Sequence, residues 1–477
     1  MNKSKRQFIR SATGLSLAAG SLVASRLGSS LAVSLAGIAA LASQSAHAAS
    51  SEYRALVCLY LAGGNDAHNW VIPIDTSGFS DYVKARSNLA MPASSLANLA
   101  PSPRQAIGRI FGMPTDLAPM RDLYESRQMA VVANVGPLLR PTSRAQYDAG
   151  AALPPKLYSH NDQASNWQSL APEGARSGWG GRIGDLFLSA NGNPVFTTVS
   201  ASGNAIFLSG NNATQYQIGT SGAVGIGGLN DRSTLGSTSV SAAIRRTQFD
   251  PGDNLFQAEV TRIVKRSSEA FDVLAGVLSK VNVAPIVSNP IVLSNGATVA
   301  IAQAPLARQL RAVAQMIGAA PTLGMRRQVF MVSMGGFDSH GNQMRDAPAL
   351  MATVAQSISY FMATMRSMGL ANNVTLFTAS DFGRTLTSNG SGTDHGWGNH
   401  HFVVGGAVRG GDIYGRFPIT ALGTSDDLGS GRMLPSTSVT EYAATLARWM
   451  GVSANDMPLV LPNIAEFGTS DLEFLNA

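Results

Sequence analysis

Three segments of the chain end an apolar run on aspartate, and two of them add histidine. Residues 374–378, VTLFT, form an apolar, β-branched stretch that predicts a buried strand, and Asp381 follows at its exit. A polar, glycine-rich loop then carries Asp394, His395, His400 and His401 before a second apolar run at 402–404, so three of the chain's seven histidines fall within seven residues. Residues 55–66, ALVCLYLAGGND, and 329–343, VFMVSMGGFDSHGNQ, repeat the design: strand, Gly-Gly, then Asp66 in one and Asp338 with His340 in the other. Carboxylates and imidazoles at strand ends are costly to bury unless they pair or hold a metal. Taken one at a time, Gly and Asp at a strand exit are ordinary turn residues. Taken together, Asp66, Asp338, His340, Asp381, Asp394, His395 and His400 predict a shared divalent-metal site. Mixed Asp and His ligands suit Zn, Mn or Fe, whereas a carboxylate-dominated site would suit Mg or Ca.

The elements that would bring these exits together follow from a general rule. Open parallel α/β sheets bind ligands outside the carboxyl ends of their strands. A further strand, 128–135, exits through Gly136-Pro137 toward Thr142, Ser143 and Arg144, after which 145–152 can start a helix. Hydroxyls there would meet the positive end of the helix, as nucleophiles or simply as N-caps. Residues 157–168 read as a polar loop in which His160 is either a ligand or acid, or a structural histidine. Apolar residues at helical spacing predict packing helices over 255–281, 305–317, 347–368 and 436–449. The Ser/Gly/Asn-rich stretch 200–247 reads as an inserted cap or excursion.

The first 48 residues carry five basic residues and no acidic one; the remainder holds 30 basic and 29 acidic residues, a net charge near +1. The remainder therefore offers no basic surface for nucleic acid. Ser4 to Arg10, SKRQFIR, resembles a twin-arginine export motif with Lys5 in the first arginine's place, and Ala46-His47-Ala48 offers a cleavage site. Neither apolar half of this leader is long enough to span a bilayer. The expectation is a signal peptide at 1–48, delivery by the twin-arginine machinery, and a periplasmic or secreted domain at 49–477 with no stable membrane span. The single cysteine, Cys58, permits no internal disulfide.

Eight motifs carry a family resemblance: YLAGGND (60–66), NVGPLLRPTSRAQY (134–147), LYSHNDQASNWQ (157–168), SGWGGR (177–182), GGFDSHGNQ (335–343), SDFGRT (380–385), GTDHGWGNHH (392–401) and ATLARWMGV (444–452). In these the chain resembles an exported bacterial family, domain of unknown function 1501, related to the alkaline phosphatase and sulfatase superfamily. The resemblance implies a doubly wound, mostly parallel α/β sheet with helices on both faces, binding divalent metal at its carboxyl end. It implies Asp66, Asp338, His340, Asp381 and His395 as ligands, Thr142 or Ser143 as nucleophile, and Arg144 as the charge facing the oxyanion. Phe382 departs from the pattern, standing where superfamily members read histidine, and Asp338 and His340 lie closer together than usual. The expected function is an exported metal-dependent hydrolase of phosphate or sulfate esters. The alternative is a non-catalytic exported member that binds a glycan or a partner protein.

Overall fold

The computed structural model describes residues 52–231 and 233–476; the leader lies outside them. Its centre is a ten-stranded sheet. In chain order the strands are β1 (Arg54–Leu61), β2 (Met129–Gly136), β3 (Thr198–Ser200), β4 (Tyr216–Gly219), β5 (Gly222–Ala223), β6 (Arg327–Met334), β7 (Val374–Ser380), β8 (Asn399–Gly405), β9 (Ile413–Tyr414) and β10 (Thr437–Ser438). In space they run β9-β2-β8-β7-β1-β6-β3-β4-β5, with β10 also paired to β2. Most pairings are parallel; β8 runs against both its neighbours, and β4 with β5 closes an antiparallel edge.

Burial explains why β1 sits in the middle. From Ala55 to Leu61 every side chain is inside, as expected for a strand covered on both faces. Ala55, Val57, Leu59 and Leu61 join one core, and Leu56, Cys58 and Tyr60 the other. The first core takes residues from α2 (Ala118–Glu125), α7 (Leu255–Leu278), α8 (Pro305–Leu323) and α9 (Gln343–Ser367), while α1 (Thr76–Arg86) adds none to it. The second takes residues from α4 (His160–Ser169), α5 (Trp179–Phe187) and α10 (Val439–Met450). The other α-helices among the described residues are α3 (Arg144–Asp148), α6 (Thr238–Gln248) and α11 (Met457–Val460), the last lending Met457 and Val460 to the second core.

Register is what positions the site. Leu61 stands opposite Met334 on one side and Ser380 on the other, so β1, β6 and β7 end at the same level. The antiparallel β8 starts at that edge, which places the 381–398 loop above it.

Two sequence expectations differ from the fold. Residues 160–169 are a helix, not a loop. Ser159 stands at the N-cap position, but its hydroxyl donates to the Asp162 carboxylate at 2.9 Å and caps no backbone amide. The buried face of α4 holds Asp162, Gln163 and Asn166, so no hydrophobic period announces it. The 200–247 stretch is not a detached excursion: β3 to β5 lengthen the main sheet and α6 follows. Ser143 is an N-cap, in a full capping box with Gln146.

Candidate metal centre

Asp381, at the exit of β7, is buried and has both oxygens engaged. Oδ1 accepts from the Tyr60 hydroxyl at 2.7 Å and from the Gly63 amide at 3.2 Å. Oδ2 lies 2.6 Å from Nδ1 of His160, the first residue of α4. The carboxylate accepts, so Nδ1 carries the proton and Nε2 is free to face outward. Nδ1 of His395 lies 2.7 Å from the Tyr158 carbonyl. A carbonyl can only accept, so this Nε2 is also the bare nitrogen.

Both bare nitrogens face Asp338, beyond the exit of β6: His160 Nε2 is 3.6 Å from Oδ2 and His395 Nε2 is 3.4 Å from Oδ1. His340 Nε2 joins them, 3.1 Å from Asp338 and 2.9 Å from His395 Nε2. Ligand atoms of His160, Asp338 and His395 all lie within 4.8 Å of one another. A tetrahedral zinc-type ion with bonds near 2.0–2.1 Å holds its ligand atoms roughly 3.3 Å apart. The residues present therefore fit a divalent ion. An imidazole whose far nitrogen is held by a carboxylate or carbonyl is the usual support for such a ligand.

The surroundings fix this geometry. Arg384, fully buried, donates to Asp338 Oδ1 at 2.9 Å and to Thr393. Burial alone would raise the Asp338 carboxyl, but Arg384, then His340 and His160, hold it below the usual range. Burial lowers the His395 imidazole, which keeps it neutral and able to bind metal. The Phe382 ring packs on both imidazoles, 4.8 Å from His160 and 4.4 Å from His395 between centroids. The glycine pair of β1 makes room: a Cβ on Gly63 (φ +116°) would lie 2.4 Å from the Asp338 amide, and one on Gly64 (φ +84°) 2.4 Å from Phe382.

Of the residues singled out from sequence, His160, Asp338, His340, Asp381 and His395 meet here. Asp394 stands at the rim, 3.5 Å from His340 Nδ1. Asp66 does not join the group: Arg86 and Gln343 both bond its Oδ2 in the interior. Burial would raise its carboxyl, but Arg86 and His68 outweigh that and hold it low. His400 lies within β8, accepts from the Asn134 amide at 3.1 Å and stacks on Phe417. The Thr142 hydroxyl donates to the Arg140 carbonyl at 3.0 Å, and Arg144 pairs with Asp148 and the Asp427 carbonyl. Neither they nor Ser143 bond to the group of histidines and aspartates. Tyr60, Tyr158 and Arg384 went unread in the sequence. Arg384 left one trace, as the lone cation in the polar 382–393 loop.

Solved structures at low identity align with much of the chain. One, described as Ps i-CgsB in complex with k-i-k-neocarrahexaose, is 10% identical, with 88% of this chain and 77% of that one covered and a TM-score of 0.36. A sulfatase, PsFucS1 from Pseudoalteromonas sp., is 9% identical, with 90% and 72% covered and a TM-score of 0.32. The soluble domain of lipooligosaccharide phosphoethanolamine transferase A from Neisseria meningitidis is 10% identical, with 84% and 89% covered and a TM-score of 0.27. No curated protein matches by sequence. Residues 137–459, more than half of the chain, match the family described as protein of unknown function (DUF1501), and the chain belongs to that family.

Proposed function

We propose that the protein holds one divalent transition-metal ion on His160, Asp338 and His395, with His340 beside them, and hydrolyses a phosphate or sulfate ester there after export. One observation carries the reading: two imidazoles, each tied at Nδ1 to an acceptor, turn their bare Nε2 atoms onto one carboxylate. Nitrogen-rich ligands favour Zn or Mn over Mg or Ca. A bound ion would polarise the ester and ease deprotonation of an attacking hydroxyl. Asp381 and the Tyr158 carbonyl orient the imidazoles, and Arg384 fixes Asp338. Thr142 is the freer nucleophile candidate, because Ser143 would first have to leave its capping box. The leader supports delivery to the periplasm or beyond by the twin-arginine route. Among the described residues no helix is long and apolar enough to cross a membrane.

The test is metal content of the mature protein by elemental mass spectrometry, beside Asp338→Ala/His340→Ala, followed by a screen of chromogenic phosphate and sulfate esters. About one equivalent of metal, lost in the variant, with turnover of an ester class, is expected. Absence of metal uptake by a folded wild type would sink the reading. A second reading, a non-catalytic member that binds a glycan or protein, draws support from Phe382 and from the engaged hydroxyls at 142 and 143. Stoichiometric metal with no turnover of any ester would select it.

A further inference from the structure

The surface folds into a recess of about 110 Å³ with Asp338 in its lining. Its wall carries both polar and apolar side chains. Asn65, Asp66, Asp338 and Asp346 line it together with Trp70 and Phe337. Asn65 is 1% exposed, and neither its amide nitrogen nor its amide oxygen has a partner; Oδ1 of Asp66 is likewise buried and unpaired. Buried amides and carboxylates are almost always paired, so three such atoms beside one recess point to a ligand.

Charge selects the ligand's chemistry. Each carboxylate on the recess has a guanidinium partner: Arg86 for Asp66, Arg384 for Asp338 and Arg345 for Asp346. The recess is thus close to neutral and rich in acceptors. It disfavours an anion and has no unpaired charge for a cation, whereas hydroxyl groups can both donate to the carboxylates and accept from the Asn65 amide. The apolar side chains suit the carbon skeleton that carries them. We infer that this recess binds a small polyhydroxylated group, and that in the ester-hydrolase reading, on which this assignment of role rests, it receives the alcohol portion of the substrate. A bonded chain joins it to the metal centre: Asp66 accepts from Gln343, Gln343 accepts from Thr393 at 2.9 Å, Thr393 accepts from Arg384 at 3.2 Å, and Arg384 donates to Asp338.

The experiment uses ligand-detected saturation-transfer NMR on the metal-loaded mature protein, with glycerol and myo-inositol as probes and sulfate and ethylammonium as controls. Two variants accompany it: Asn65→Leu, which removes the unpaired amide, and Met351→Trp, which fills the recess from its apolar side. Polyol binding in the wild type, weakened about tenfold or more in each folded variant with metal content unchanged, is expected. No polyol binding, binding undiminished from wild type in both folded variants, or preference for sulfate or ethylammonium would overturn the inference. Polyol binding by a protein that takes up no metal would leave the recess standing and remove the hydrolase reading alone.

Discussion

Asp381 is expected from sequence as a ligand, and in the fold its oxygens engage Tyr60, Gly63 and His160, so that it orients His160, a proposed ligand. Tyr60→Phe removes one of its three supports without changing shape. We expect metal affinity to fall by about tenfold, at the mild end of the range for groups that orient a ligand, with the unfolding midpoint nearly unchanged. Competition with a chromophoric chelator measures it, and unaltered affinity would mean that Gly63 and His160 suffice to hold the carboxylate. Asp66 is the opposite case. It and Arg86 form an interior ion pair, so Arg86→Met strands a buried carboxylate and should cost about 3–5 kcal/mol in urea unfolding. Arg86→Met/Asp66→Asn should recover much of that loss, and neither change should alter metal content. Metal loss in the double variant that retained its stability would return Asp66 to the ligand set.

At the scale of elements, the strand exits matter more than any loop. Gly63 turns the chain with a positive φ directly against the Asp338 backbone, so Gly63→Ala adds both a disfavoured conformation and a clash. We expect a loss of about 1–3 kcal/mol together with weakened metal binding, because the displaced neighbour is Asp338 itself. A variant destabilised but fully metal-competent would show that the two segments move independently. These exits were legible in the sequence because apolar runs ending in Gly-Gly-x-Asp or in Asp are local signals, and α8, α9 and α10 because apolar residues recur at helical spacing. What escaped reading depends on long-range placement. α4 hides a polar buried face; Tyr60 meets Asp381 across 321 positions of sequence; and Asp66 is enclosed with Arg86 and Gln343, whereas Asp338, also paired with an arginine, stays half exposed beside the imidazoles. A strand exit in sequence names a carboxylate, while its partner is chosen by packing.

Across the whole molecule, three imidazoles away from the proposed ligands are enclosed in the interior: His68, His400 and His401. Burial lowers His68 to about 4 and His401 to about 3, and drives His400 well below its ordinary 6.5. All three are neutral in the folded chain, whereas in the unfolded chain they take up protons as the pH drops through 6.5. Between about pH 6.5 and 4 the unfolded state therefore binds more protons, and stability must fall with falling pH. Each such group contributes a slope of up to roughly 1.4 kcal/mol per pH unit. The loss is complete for each only below its folded-state value. Asp66 and Asp338, held low by arginine, add their own loss only below about pH 4. Chelator-treated protein isolates this effect from metal release. Its urea midpoint should be level above about pH 7 and decline steadily toward pH 4.5, with His401→Leu removing about one proton from the slope. A midpoint independent of pH over that interval would show that these imidazoles are already charged in the fold, and that their surroundings are more polar than the packing implies.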